Sequence, residues 1–171
     1  AQNEQNRKDV TVRLEQTFTV KAPVEKVMNA MRDPELIAAD AATRDTKKTE
    51  VKDIECTDQR HVFEIHSDDY VRGLKGVDKS KTEHNVATNT WDLVNQRNSW
   101  VWKGGGDMSA MANITGGSNL QGQDGSTTLT MYVEIDIPVP VIGKKIAKKV
   151  AAGFEKAWPE YMARLEKWAN K

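Results

Sequence analysis

The chain has 171 residues, enough for one domain with a real core, and it carries 25 basic and 25 acidic side chains for a formal net charge of zero. That balance argues against a nucleic-acid binder, whose affinity rests on neutralising phosphates with an excess of Lys and Arg. No apolar run approaches the roughly 18–20 residues of a bilayer-spanning helix, so the sequence reads as soluble. A single cysteine, Cys56, excludes an intrachain disulfide framework and a cysteine-built zinc site, and reads as buried strand filler.

The chain opens on Ala1, so a removed signal peptide would be invisible, and both cytoplasm and periplasm stay open as the compartment. Residues 1–9 are polar after Ala1 and read as a flexible tail ahead of one domain over 10–171. Val10, Val12, Leu14, Phe18 and Val20 then alternate with polar positions, the pattern of a half-buried strand. Pro23 opens a helical pattern carried by Val24, Val27, Met28 and Met31, and Asp33-Pro34 divides it into two short helices.

From Thr49 to Ile137 the pattern is strand, turn, strand. Thr49–Thr57 and Arg60–Ser67 form a hairpin, with Ser67-Asp68-Asp69 read as a solvated loop. Asp78–Val94, Ser99–Lys103, Asp107–Thr115 and Thr127–Ile137 are further strands, with Gly104-Gly105-Gly106 a turn and Gly116–Gly125 a polar loop. Turns without intervening helices predict an antiparallel meander. The chain ends in a long helix from Val141 to Ala169, striped by Ile142, Ile146, Val150, Phe154, Trp158, Met162, Leu165 and Trp168, which Pro159 should kink or split.

A strand, two short helices, an antiparallel run and a long closing helix specify an α+β architecture: a curved antiparallel sheet wrapped around the C-terminal helix. The opening RLEQTFTVKAPVEKVMNAMRDPELI and the closing DIPVPVIGKKIAKKV resemble the helix-grip fold of the START and polyketide-cyclase superfamily, which includes the birch-pollen allergen. The closing block is similar to an uncharacterised bacterial branch of it. The two ends frame nearly the whole chain, while the middle matches only as a strand pattern. The resemblance implies a hydrophobic ligand held between sheet and helix, and no cofactor is expected.

The inward strand faces supply the candidate lining: Trp91, Trp100, Trp102, Met108, Met131 and Val133, opposite Val150, Phe154, Trp158 and Met162 of the helix. Flat Trp rings and pliable Met side chains suit a greasy ligand, and they equally suit a filled core. His61 and Asn89 are the polar groups of inward parity, and neither has an evident base beside it. Gly153, inside a helix, reads either as a tight packing contact or as clearance for a ligand. Loops at Val71-Arg72-Gly73-Leu74 and Gly104–Gly106 are the expected gates.

Lys144, Lys145, Lys148 and Lys149 crowd the start of the last helix, where cations oppose the macrodipole. They read as a solvated face, or as a docking patch for an anionic membrane surface or a partner beside Val139-Pro140-Val141-Ile142. No metal site is expected, since the three histidines lack ligand spacing and there is no H-E-x-x-H. KGGGDM opens no helix and is a hairpin turn, and no G-x-S-x-G is present. Three readings follow: a carrier of a lipid, isoprenoid or polycyclic compound, a cyclase or hydratase-like enzyme in the same pocket, or a filled-core interaction protein using the basic helix start.

Overall fold

The computed structural model describes residues 11–73 and 75–171, so the expected tail, Val10 and Leu74 of the expected gate lie outside the described residues. The alternating segment is β1 (Val12–Val20), followed by α1 (Val24–Met31) and α2 (Pro34–Ala41). Then come β2 (Thr46–Cys56), β3 (Arg60–Gly73), β4 (Gly76–Asp92) and β5 (Arg97–Lys103). A short 3-10 turn, Ser109–Met111, precedes β6 (Asn113–Gln123) and β7 (Ser126–Asp136), and α3 (Gly143–Ala169) closes the fold.

The break between the short helices has a local cause. The Asp33 carboxylate accepts the Glu35 N–H at 2.9 Å, and Pro34 takes the first helical position, where an N–H would be unpaired anyway. The other Asp33 oxygen accepts the Trp168 indole N–H at 3.3 Å, which ties the end of α3 to the start of α2.

The strands form one antiparallel sheet in the order β1-β7-β6-β5-β4-β3-β2. β2 through β7 is the meander, and α1 with α2 carries the chain from one sheet edge to the other. Directly opposed residues share a face, so the register sets rows across the sheet. One row runs His61, Trp91, Asn98, Ser118, Met131, Gln16, and the next Phe63, Asn89, Trp100, Gly116, Val133, Leu14. A third runs Ile65, Ala87, Trp102, Ile114, Ile135, Val12.

These rows lie on the inner face, toward which α3 turns Ala147, Ala151, Trp158, Met162, Leu165 and Ala169, all buried. The helix runs along β1 and β7 and meets both α1 and α2. Two apolar clusters result. One, at the α1–α2 end, joins Val27, Leu36, Phe63, Trp91, Leu129 and Leu165, and the other joins Ile114, Val133, Ile135, Ala147, Ala151 and Trp158.

Several expectations are corrected. The glycine-rich segment after Ile114 is a strand, because its glycines serve close approach: a Cβ on Gly116 would come within 2.3 Å of the Trp100 ring. Residues 107–112 are not a strand. The Ser109 hydroxyl accepts the Gly106 N–H at 2.9 Å, and the Ala110 N–H turns back to the Gly106 carbonyl, which leaves Met108 63% exposed and off the inner face. Ser67-Asp68-Asp69 is part of β3 and is no loop. Cys56 is exposed, at the end of β2, the edge strand of the described sheet. α3 continues through Pro159 unsplit; Glu155, whose carbonyl loses its N–H partner there, is exposed to water.

Candidate functional site: the inner face beneath the long helix

Trp100 is pressed onto the sheet over Gly116 and offers its other side to α3, where Phe154 stacks at 6.1 Å between centroids with 28° between planes. Phe154 meets Trp158 at 6.2 Å, and Trp158 meets Phe18 edge-on at 6.4 Å. Four rings thus bridge β5, α3 and β1. Trp158 is buried, whereas Trp100, Trp102 and Phe154 are only half-buried although they lie on facing layers.

One side of the helix has no close neighbour at Gly153. Gly153, Ala157 and Arg164 share that side, at helical steps of four and seven. The Arg164 guanidinium donates to Asp40 of α2 at 2.6 Å, and α2 stands against β2, so this side of α3 looks toward the β2–β4 half of the sheet. No atom lies within 4 Å of a Cβ placed on Gly153, and Ala157 is exposed. Tight packing therefore does not explain Gly153. It borders open space next to Phe154 and the half-buried Val150.

Polar groups stand in the rows beside the rings. Asn89, 8% exposed, lies between Phe63 and Trp100 in its row, and its amide makes no hydrogen bond with any described residue. The indole N–H of Trp91, one row away, is buried without a partner. An unsatisfied buried donor costs roughly 1–3 kcal/mol, a cost that falls on the Trp91 N–H. Tyr161 adds a half-buried phenol on α3, and burial, then the Asp40 carboxylate, pushes its pKa up.

His61 is buried and held at both ring nitrogens. Arg32, just past α1, donates Nε–H to His61 Nδ1 at 2.9 Å, which leaves the ring proton on Nε2 for the Asp53 carboxylate at 2.8 Å. A second polar knot lies farther along β3, where Asp69 accepts from Thr46 at 2.7 Å, Ser67 at 2.9 Å and Asn85 at 2.6 Å.

The structure brings Trp100, Trp102, Met131, Val150, Phe154 and Asn89 to one region of the inner face, with His61 one row from Asn89. Trp91, Val133, Trp158 and Met162 lie fully within the apolar clusters. Lys144, Lys145, Lys148 and Lys149 are all exposed. Sequence reasoning missed Arg32, Asp53 and Tyr161. Asp53 keeps inward parity with Val51, which was a readable signal, but the contact of Arg32 with His61 depends on how α1 crosses the sheet.

Among the described residues no group of three or more His, Cys, Asp or Glu side chains is disposed to hold a metal ion. No described helix is long and apolar enough to cross a membrane. On the outer face, Arg60, Thr90, Arg97, Ser99, Asn119 and Tyr132 border a polar trough of about 510 Å³.

The same architecture recurs in solved structures of low sequence identity. The Zhui aromatase/cyclase from Streptomyces sp. R1128 superposes with a TM-score of 0.63 at 14% identity, over 94% of each chain. Norcoclaurine synthase from Thalictrum flavum gives 0.62 at 12%, covering 95% of this chain and 88% of that one. TTHA0849 from Thermus thermophilus gives 0.61 at 15%, covering 92% and 97%. No curated protein sequence matches. The fold is the helix-grip fold that those structures share, as the opening and closing segments suggest. With residues 15–169 matching it, the chain belongs to the family described as a protein of unknown function, DUF2505.

Proposed function

We propose that the chain binds or carries a flat, largely apolar small molecule between the sheet and α3, of the lipid, isoprenoid or polycyclic class. The observation that carries this reading is the half-buried Trp100–Phe154 stack beside an unpartnered Asn89 amide. Rings supply apolar area worth about 25 cal/mol per Å² buried, and the Asn89 amide orients an oxygen of the ligand. The fold shared with an aromatase/cyclase and a norcoclaurine synthase supports a small-molecule site. Binding is favoured over acid–base catalysis because His61, the inward imidazole, already spends both nitrogens on Arg32 and Asp53.

The test is native mass spectrometry of freshly purified protein with organic extraction, followed by tryptophan-fluorescence titration with fatty acids, isoprenoid quinones and polycyclic phenols. The expected result is an extractable adduct or saturable uptake that Trp100→Ala weakens about tenfold, the loss of one stacked apolar contact area. A clean mass together with no uptake of any panel member overturns the reading in favour of a filled-core interaction protein.

A further inference from the structure

The end of the molecule opposite α1 and α2 carries an apolar tip. Asn113, which opens β6, pairs with Asp136, which closes β7, so the loops before and after them leave the sheet side by side. The first loop exposes Met108 at 63% and Met111 at 42%, and the second exposes Val141 at 101% and Ile142 at 43%. Four of the chain's large exposed apolar side chains are thereby gathered at one place.

Val141 is held there against its own preference. Its φ is +71°, in the left-handed region that a β-branched side chain disfavours, and the Ile142 N–H closes on the Pro140 carbonyl at 2.8 Å to make a γ-turn around it. The turn is braced by Pro138 and Pro140 and by the Gly143 N–H to the Val139 carbonyl at 2.9 Å. Gly143 itself is obligatory, since a Cβ would fall 2.0 Å from the Ile137 carbonyl oxygen. A rigid loop thus presents a strained, fully exposed valine that contributes no packing to the fold.

Charge surrounds this tip. Lys144, Lys145, Lys148 and Lys149 are exposed in the first two turns of α3, and no acidic residue occurs from Ile137 to Phe154. Asp107 is the acidic residue of the neighbouring loop. Basic side chains next to a helix N-terminus weaken the helix slightly, so helix stability does not account for them.

We propose that this tip docks on an anionic lipid bilayer surface, with Val141, Ile142, Met108 and Met111 entering the headgroup boundary and the four lysines pairing with lipid phosphates and carboxylates. An apolar wedge with a basic collar is what such a surface recognises, since each lysine near it contributes electrostatically and each buried aliphatic group adds hydrophobic attachment. The inference is independent of the small-molecule reading.

The experiment is co-sedimentation of the full chain with phosphatidylserine-containing vesicles and with pure phosphatidylcholine vesicles, in low and high salt. Binding should require the anionic lipid and fall as salt rises. Changing all four lysines to Gln should weaken it by about tenfold or more. Val141→Asn, which suits the left-handed backbone and keeps or raises folding stability, should weaken it about tenfold by removing the wedge. No sedimentation of the parent protein, or sedimentation that neither variant reduces, overturns the proposal. So does a parent protein that self-associates by analytical ultracentrifugation and is made monomeric by Val141→Asn, because the tip is then a protein interface. Ligand uptake measured without vesicles should be equal in all variants, so failure of the small-molecule reading and failure of docking are separately visible.

Discussion

Along the outer face of β3 and β4, Asp68, His84, His66 and Glu64 form a chain of contacts. His84 Nδ1 lies 2.8 Å from Asp68, His84 Nε2 lies 2.9 Å from His66 Nδ1, and His66 Nε2 lies 3.2 Å from Glu64. The His84 hydrogen bond is the main cause holding the Asp68 carboxyl below the usual carboxylate range, with charge attraction from His84, Lys48 and Lys47 adding to it. A depressed folded value stabilises the fold above the ordinary carboxylate pKa, and that contribution is lost as pH falls through the folded value. In His84→Ala the Asp68 midpoint, followed by carbon NMR, should rise toward the ordinary carboxylate range, and acid unfolding should begin at higher pH. An unmoved midpoint would show that the lysines, not the imidazole, set it.

At the scale of elements, α3 carries the clearest signal and the clearest misreading. Gly153 weakens the helix by about 1 kcal/mol relative to Ala. Nothing lies within 4 Å of an added Cβ, so Gly153→Ala should stabilise the protein by about that amount in chemical denaturation. A loss of stability would mean that the open side of the helix is filled in solution. The stripe through Trp158, Met162 and Leu165, the Asp33-Pro34 break and the parity of His61 with Phe63 were legible because each follows from local geometry, whereas in the first turns of α3 the small Ala147 and Ala151 are buried in place of the expected Ile142, Ile146 and Val150. The nature of 113–123 was not. Gly116 and Gly117 look like turn residues until Trp100 and the Asn98 carbonyl are seen to lie against them, and that contact comes from a different strand. The Arg32–His61–Asp53 set was hidden for the same reason, since it joins α1, β3 and β2 across the sheet edge.

For the whole molecule the two ends of α3 do different work. Its C-terminal half is clamped by α1, α2 and Asp33, and Leu165 there is 0% exposed. Toward its N-terminal half Phe154 and Val150 remain half-buried beside open space at Gly153. Truncation should separate the roles. Leu165→Ala should cost about 2–5 kcal/mol, the range for a closed core site, with uptake of a bound small molecule unchanged in the fraction that stays folded. Phe154→Ala should cost less than the roughly 3–5 kcal/mol of a fully packed Phe, because part of the ring already faces water, while removing one side of the Trp100 stack and weakening uptake. Urea unfolding of both variants beside fluorescence titration distinguishes the cases. If Phe154→Ala matches Leu165→Ala in cost and leaves uptake untouched, the inner face is packed core from end to end, and the ligand reading fails. The opposite order, a small stability cost with a large binding loss, makes the α1–α2 end the clamp that holds α3 over the sheet and the Phe154 region the part of the helix that meets the ligand.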